Sequence, residues 1–383
     1  MKIFETTLRD GEQAAIIHLQ PDQKAVIASD LEAMGCDIID AGFPIASRPD
    51  WEGARAVAEA TRTCRLSVLA RQIEKDIDSA ASALEGHLER ARVSTWVMPY
   101  EIYTRHKGDP ETPGKVLDLT RRAVAYARNV FPEVQYYMVY SGNRDPGFLC
   151  EVAAVAADTG AACIVVADSQ SVMTPEVCAD LVRRVKAVLP DDVDLSVHAH
   201  NLMGLALANT VAAVTAGATQ VEATIGGMGD AGGNVALEQV LGYASFLGKD
   251  DLRFANNCRL EALYAIASHV TELTGFQFGS NQAYVGPQTF MVETGIHQSL
   301  AEKIESSTLA PERIGRRLTH LVGRHSGVAG VRKKLHELGV DMSDVNTQEL
   351  YALVMKVTER SGMISDEDLL RLVSGAPAPN HPE

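Results

Sequence analysis

KIFETTLRDGE, residues 2–12, opens the chain with a short β-like run that ends in a polar turn. Seven more β-branched or apolar runs follow, at 37–42, 65–69, 93–98, 134–140, 162–167, 193–199 and 218–224. Stretches with helical periodicity alternate with them, at 22–34, 74–92, 114–130, 146–159, 175–188, 203–216 and 234–247. Strand–helix alternation indicates an α/β fold with a parallel sheet, and the count of eight favours a closed (β/α)8 TIM barrel over an open sheet.

After about residue 250 helical patterns dominate, at 258–273, 329–338, 346–361 and 365–374, with a link containing Gly, Pro and Gln at 275–289. We therefore predict a catalytic barrel over residues 1–250 and a C-terminal helical subdomain over 251–375. The last residues, 376–383, are rich in Pro and polar side chains and are predicted to be a disordered tail.

The composition is that of an ordinary globular protein, with 46% hydrophobic and 22% charged residues. A formal net charge of −15 argues against nucleic-acid binding and against binding to anionic membranes, because phosphate surfaces need basic partners. The six cysteines lack metal-site spacing and are expected to be reduced thiols. No signal-like segment precedes the first strand and no apolar run could cross a membrane, so a cytoplasmic location is expected.

Two motifs predict a metal site from the barrel topology. TLRDGE (7–12) ends the first strand and HAHN (198–201) ends the seventh. In a closed barrel strands seven, eight and one are neighbours, so Asp10 should face His198 and His200 at the mouth, and histidines two apart on a strand share a face. Two imidazoles and a carboxylate leave positions open for substrate, as at a catalytic metal. Zinc, manganese, magnesium and iron all suit this set.

The loop after strand eight reads GGMGDAGGN (226–234), with five glycines in nine residues. Such a loop lets the backbone approach a ligand closely, and barrel ligand sites often lie here. Asn234 has two interpretations: it contributes to the site, or it caps the helix that follows.

Six motifs in order carry a specific resemblance: TTLRDGEQ (6–13), AGFP (41–44), HAHN (198–201), GGN (232–234), TGIHQ (294–298) and GRHSG (323–327). Together they resemble the acyl-CoA Claisen-condensing metalloenzymes, namely the isopropylmalate, homocitrate and citramalate synthases. The resemblance implies a (β/α)8 barrel, a helical C-terminal region and a homodimer. It also implies condensation of acetyl-CoA, or another short acyl-CoA, with a 2-oxo acid. Thioester hydrolysis would then release CoA and a 2-alkylmalate- or homocitrate-type hydroxy diacid.

The resemblance assigns candidate roles to individual residues. The divalent metal would be held by Asp10, His198, His200 and Asn234. The candidate catalytic residues are Arg9, which would contact the developing alkoxide, His297, which would transfer protons from the helical region, and Glu12. The candidate substrate-binding residues are Arg9, Gln13, Arg71, Arg144, Ser169 and Asn234.

The chain departs from the family pattern around these residues. Gly226, Asp230 and Ala231 stand where Asn, Glu and Arg are usual, and Leu202 replaces an Asp. The segment after strand five, YSGNR (140–144), lacks the usual glutamate. Because the metal ligands are kept while their surroundings differ, we expect a specialised 2-oxo acid.

The distal group of that acid has two interpretations. Arg71, with Tyr103, Arg105 and His106, would suit an anionic group, but solvated loop cations would look the same.

Two other functions are considered, a metal-dependent lyase or aldolase and a non-catalytic metabolite-binding relative. TGIHQ and GRHSG favour a synthase, since lyase members generally lack that helical region. Retention of Arg9 and of the metal ligands argues against a non-catalytic protein.

Overall fold

The computed structural model describes residues 1–14, 17–97, 112–293, 311–343 and 345–376. The chain folds as two units, Met1–Phe278 and Gly279–Glu383. Across these described ranges, none of the helices combines the length and the hydrophobicity that crossing a bilayer requires.

The first unit contains the predicted closed barrel. Its eight parallel strands are β1 Lys2–Glu5, β2 Ile38–Asp40, β3 Arg65–Arg71, β4 Ala91–Trp96, β5 Glu133–Met138, β6 Cys163–Asp168, β7 Asp194–Ala199 and β8 Gln220–Ala223. The strands pair in chain order, and β8 closes on β1 with Lys2 beside Gln220 and Glu5 beside Ala223. The α/β fold class and the strand count are confirmed, and β7, β8 and β1 are neighbours as predicted.

The helices of this unit are α1 Pro21–Met34, α2 Arg48–Ala60, α3 Glu74–Ala83, α4 Thr112–Val130, α5 Pro146–Asp158, α6 Pro175–Lys186, α7 Ala206–Ala216, α8 Leu237–Phe246 and α9 Leu263–Thr274. Helix α2 was not among the predicted stretches. It begins at Ser47, whose hydroxyl accepts from the Asp50 N–H. Its buried residues are small (Gly53, Ala54, Val57 and Ala58). The sequence therefore shows little of the apolar periodicity that would predict a helix.

The barrel interior carries a buried polar network instead of only apolar layers. The Arg92 guanidinium donates to the side-chain carbonyls of Gln135 and Gln220, each at 2.8 Å. The Gln135 amide donates in turn to Glu222 Oε1 at 2.9 Å. A buried polar group without a partner is costly, so these mutual bonds hold each side chain in one orientation. The network ends at Glu222, close to the barrel mouth.

Residues 251–278 belong to the same unit as the barrel. The domain boundary predicted from the sequence had placed them in the helical subdomain. The Arg259 N–H donates to the Met34 carbonyl at 2.7 Å, and Cys258 Sγ contacts the Gly35 carbonyl.

The second unit has its own apolar core, to which Val331, Leu335, Leu350 and Val354 contribute. Its elements are β9 Met291–Val292, β10 Thr319–His320, β11 Val322–Gly323, α10 Val328–Glu337, α11 Thr347–Ser361, β12 Met363–Ile364 and α12 Asp366–Val373.

Candidate active site

The turn after β1 fixes the first candidate ligand. The Asp10 N–H donates to the Thr6 carbonyl at 2.8 Å, and the Thr6 hydroxyl donates to Asp40 Oδ2 at the end of β2. Arg9 donates from Nε to the same Asp40 oxygen at 2.7 Å and from Nη1 to Asp10 Oδ2 at 2.9 Å. Arg9 is therefore clamped between two carboxylates, and Asp10 is held at the mouth of the barrel.

Asp10, His198 and His200 meet as the topology predicted. Their potential ligand atoms lie within 4.8 Å of one another, and all three residues are buried. The two Nε2 atoms are 3.2 Å apart, and His198 Nε2 is 3.3 Å from Asp10 Oδ2. Three donors at these separations suit a single divalent cation.

A carboxylate behind His198 sets the orientation of that imidazole, whereas the nearest carboxylate to His200 lies beyond hydrogen-bond distance. His198 Nδ1 lies 3.0 Å from Glu222 Oε2, and His200 Nδ1 lies 3.6 Å from Asp230 Oδ1. When Nδ1 carries the proton toward a carboxylate, Nε2 presents a lone pair. The His198 lone pair then faces His200 Nε2, which is 3.2 Å away, so the two rings converge on one point.

Asn234 lies beside these ligands and does not cap α8, which begins at Leu237 after Ala236. The capping interpretation is therefore wrong. The residue forms a β-bridge with His200, and its Nδ2 donates to the Met228 carbonyl at 3.0 Å. Among the residues that the structure describes, neither Asn234 Oδ1 nor Asp10 Oδ1 has a hydrogen-bond partner, although both atoms are buried. Two orphaned oxygens next to two imidazoles fit a metal ion.

The pKa directions of Asp10 and His200 agree with this arrangement, whereas burial would lower the pKa of His198 but its hydrogen bond to Glu222 and the charges of Asp10 and Glu222 raise it. Burial would raise the pKa of Asp10, but Arg9 and the two histidines outweigh it and hold that pKa below its usual range. Burial and the neighbouring His198 lower the pKa of His200. A carboxylate and a neutral imidazole are the ligand forms that a metal requires.

Sequence reasoning missed Glu222 and Asp40. Each is a carboxylate in the C-terminal half of a barrel strand, a position that could have signalled a role at the mouth. Glu222 is fully buried and accepts from Gln135, from the Tyr137 hydroxyl at 2.6 Å and from Ser196.

We expect Glu222→Gln to weaken metal binding by about 10- to 100-fold, the usual effect of losing a partner that orients a ligand. An amide of the same shape cannot accept all the donors that surround Glu222, so His198 loses its fixed orientation. Calorimetric titration with Zn²⁺ and Mn²⁺ measures the effect. Unchanged affinity in a folded variant would contradict this role.

The glycine loop positions Asn234 through close backbone packing. Gly233 has φ +85°, and a Cβ there would lie 1.9 Å from the Gly227 carbonyl oxygen. The Asn234 N–H donates to that same oxygen. A side chain at residue 233 must therefore push the loop apart next to a metal ligand.

We expect Gly233→Ala to lower metal affinity at least tenfold and to lower the melting temperature. Gly204→Ala is the matched control, since Gly204 also has positive φ (+72°) but open space around a Cβ. The control should lose only the folding stability that an alanine costs at positive φ, roughly 1–2 kcal/mol. Equal metal affinities in the two variants would refute the packing argument.

A cavity of about 230 Å³ opens beside these candidate metal ligands. Its lining includes Arg9, Asp10, Gln13, Leu69, Trp96, Tyr137, Val139, Tyr140, Ala167, Ser169, His198, His200 and Asp230. Gln13 and Ser169, two predicted substrate contacts, are thus at the cavity. Arg9 Nη2 is buried without a hydrogen-bond partner among the described residues, so it can bind a substrate oxygen.

The other predicted site residues that the structure describes do not line this cavity, although Glu12 lines a neighbouring one together with Arg9 and Gln13. Glu12 accepts from the Leu19 N–H and pairs with the buried Lys24, with Nζ to Oε2 at 2.5 Å. Arg71 is half exposed and paired with Asp76. Arg144 lines a smaller neighbouring cavity. His297 lies outside the described residues, and its role stays a prediction.

Comparison with known proteins places this site in a family. Residues 1–270 match the HMGL-like family, and residues 284–361 match the homocitrate synthase post-HMGL domain-like family. The chain belongs to the HMGL-like family, a class of (β/α)8 barrels, and it carries the post-HMGL domain as well.

Curated relatives of this chain include 2-isopropylmalate synthases. The enzyme from Heliobacterium modesticaldum is 38% identical over 97% of this chain and 73% of its own length. The one from Pyrococcus furiosus is 35% identical over 97% of this chain and 75% of its own length. These relatives confirm the resemblance to acyl-CoA-condensing synthases.

Among solved structures, hydroxymethylglutaryl-CoA lyase from Pseudomonas aeruginosa is similar, with a TM-score of 0.62 and 21% identity. The similarity covers 79% of this chain and 97% of the lyase. At that identity the likeness concerns the barrel fold.

Proposed function

We propose that this protein is an acyltransferase that condenses acetyl-CoA with a 2-oxo acid and hydrolyses the thioester. The reactants are acetyl-CoA, the oxo acid and water, and the products are a 2-hydroxy diacid and CoA. The observation that carries the proposal is the convergence of Asp10, His198 and His200 beside the open Nη2 of Arg9, at the edge of a cavity. The synthase relatives and the post-HMGL domain support it.

Each residue has a definite task in this reaction. Asp10, His198, His200 and Asn234 would hold a divalent ion, whether zinc, manganese, magnesium or iron. When bound, the ion would supply Lewis-acid polarisation of the ketone. Arg9 Nη2 donates to the ketone oxygen as negative charge develops there, and its bonds to Asp40 and Asp10 preorganise it for this task.

Proton transfer is assigned by proposal to His297, through the TGIHQ motif. A base must remove a proton from the acetyl methyl group before the carbon attacks the ketone. Glu12 is bound by the Lys24 ammonium and the Leu19 N–H, so its carboxylate supports the turn that carries Arg9 and Asp10.

Homodimer assembly and a cytoplasmic location stay predictions. Light scattering tests whether the protein is a dimer.

The lyase alternative is weaker. A similar barrel occurs in hydroxymethylglutaryl-CoA lyases, but the match over residues 284–361 is to a domain named after homocitrate synthase. Asp10 Oδ1 and Asn234 Oδ1, which lack hydrogen-bond partners among the described residues, do not distinguish condensation from cleavage of a carbon–carbon bond.

The deciding experiment is CoA-thiol release from acetyl-CoA across a panel of 2-oxo acids, with a chelator control. We expect chelator-sensitive release with at least one acid, and detection of the hydroxy diacid by mass spectrometry. Metal-loaded, folded protein that releases no CoA with any acid would overturn the proposal. Cleavage of a hydroxy-acyl-CoA by the same preparation would favour the lyase.

A further inference from the structure

The GRHSG motif, residues 323–327, forms a turn between β11 and α10 whose shape is fixed by its own hydrogen bonds. The Ser326 N–H donates to the Gly323 carbonyl, and the Gly323 N–H donates to the Ser326 hydroxyl, each at 3.0 Å. Arg324 Nε donates to the Thr358 carbonyl on α11 at 3.0 Å. The turn is therefore closed on itself and tied to a helix of the same unit.

This turn binds Glu293, the residue directly after β9. The His325 backbone N–H donates to Glu293 Oε1 at 2.7 Å, and the buried Ser326 hydroxyl donates to the Glu293 carbonyl at 3.1 Å. A Cβ on Gly323 would lie 2.4 Å from Glu293 Oε1, so a glycine at that position leaves the room that the carboxylate occupies. We call Glu293, Gly323, His325 and Ser326 the Glu293 clamp.

The clamp depends on the backbone and the serine of the motif more than on its imidazole. The His325 side chain is 72% exposed, with Nδ1 at 3.2 Å from Glu293 Oε1. An exposed ion pair of this kind contributes little, whereas a backbone N–H bound to a carboxylate is one of the stronger hydrogen bonds. The His325 imidazole is therefore dispensable for holding Glu293.

The clamp adjoins another motif of the sequence. Glu293 is bonded to Thr294, the first residue of TGIHQ (294–298), and Ser326 binds the carbonyl of the peptide bond between them. We propose that the Glu293 clamp positions the TGIHQ segment, so that GRHSG acts on the reaction through His297. This inference rests on the proposed function, in which His297 transfers a proton, and it adds positioning residues to that reaction.

Covalent geometry explains why the position of Glu293 matters to His297. His297 is four residues beyond Glu293, and four residues of chain span at most about 14 Å. A proton-transfer group works only within hydrogen-bond reach of its proton, and a misplacement of about 1 Å can cost roughly 100-fold in rate. Release of Glu293 should therefore slow proton transfer and leave the binding of metal and oxo acid unchanged.

Two variants open the clamp in different ways. Glu293→Ala removes the carboxylate, and Gly323→Ala puts a methyl group where the carboxylate lies. Each should lower kcat about 10- to 100-fold, measured as CoA-thiol release from acetyl-CoA by the metal-loaded full chain. The KM for the oxo acid and the calorimetric affinity for Zn²⁺ should stay within about threefold of the parent values, since an interaction that serves only the chemical step changes kcat alone.

Three control variants exclude a merely structural effect. Gly327→Ala changes the other glycine of the motif, where an added Cβ meets no atom within 4 Å, and should keep the parent kcat. His325→Ala should also stay within about threefold of the parent kcat, whereas loss of an acid–base catalyst costs roughly 100-fold or more. Leu369→Ala leaves a cavity in the core of the same unit, so it should lower the melting temperature but not the kcat of the folded protein.

Like Tyr103, Arg105 and His106, His297 lies outside the described residues, so a double variant tests its link to the clamp. Independent effects multiply, but effects that act through one residue do not. Glu293→Ala should therefore add less than about threefold to the loss of kcat that His297→Ala causes alone.

The outcomes separate the clamp from the proposed function. Parent turnover with parent kcat in folded Glu293→Ala and Gly323→Ala would overturn the clamp and leave the condensation standing. A full additional loss in the double variant, or a loss in His325→Ala as large as in Glu293→Ala, would also overturn it. Metal-loaded parent protein that releases no CoA with any oxo acid would overturn the condensation, and the clamp with it.

Discussion

Replacing His200 by alanine is expected to lower kcat/KM by at least about 10³-fold. A bound metal ion contributes several kcal/mol of charge stabilisation, and each 1.36 kcal/mol corresponds to a factor of ten in rate. His200 Nε2 lies 3.2 Å from His198 Nε2, so its loss removes one of three converging donors. Steady-state kinetics and metal content of the purified variant are measured together.

The matched control is His269→Ala, which removes a histidine on α9 that pairs with Asp30 at the surface. Metal addition should raise the melting temperature of the control and of the parent protein, because a ligand bound only to the folded state stabilises it. Metal addition should have little effect on the melting temperature of His200→Ala. A variant that bound metal with the parent affinity and kept its turnover would show that His200 is not a ligand.

Arg9→Gln is expected to lower kcat/KM by roughly 10²- to 10³-fold, the effect of losing a donor to a developing oxyanion. It should also destabilise the fold by about 3–5 kcal/mol, since it leaves a buried carboxylate without its cation. Asp40 is fully buried, and its Oδ2 accepts from Arg9 Nε. Denaturant unfolding and steady-state kinetics give the two effects separately.

The stability deficit of Arg9→Gln should grow with pH. Burial raises the pKa of Asp40 above its ordinary value, and Arg9 opposes that rise. Without Arg9 the pKa of Asp40 is higher still, and a carboxyl with a raised pKa in the folded state stabilises the fold when protonated. This stabilisation is fully present at pH values below the pKa that Asp40 has in the unfolded state. It is lost as the pH rises through the higher pKa that Asp40 has in the folded state. The deficit should therefore be smaller at pH 5 than at pH 8.

A double variant separates the two roles of Arg9. Asp40→Asn added to Arg9→Gln removes the unpaired charge, so most of the lost stability should return at pH 8. Activity should stay low, because the donor to the substrate oxygen is still missing. Recovery of activity in the double variant would show that Arg9 acts only through the fold.

The convergence of Asp10, His198 and His200 was predictable because topology alone brings these three residues together. Once eight strand–helix repeats indicated a closed barrel, the order of the strands made β7, β8 and β1 neighbours. Motifs at the C-terminal ends of β1 and β7 then had to meet at the mouth, whatever the side-chain packing. The structure brings Asp10, His198 and His200 within 4.8 Å of one another.

The surroundings of the ligands depended on side-chain packing. From the sequence, Asn234 could be either a site residue or the N-cap of a helix. Only its β-bridge with His200 decided between these two interpretations. Arg71 looked like a substrate contact at the end of β3, but Asp76 five residues later binds its guanidinium.

The sequence by itself determined the barrel and the convergence of Asp10, His198 and His200, because strand periodicity and strand order need no knowledge of rotamers. Only the tertiary structure decided which carboxylate orients His198 and which carboxylates bind Arg9. Glu222 binds His198 across 24 residues and Tyr137 across 85, and such contacts depend on strand register and rotamers.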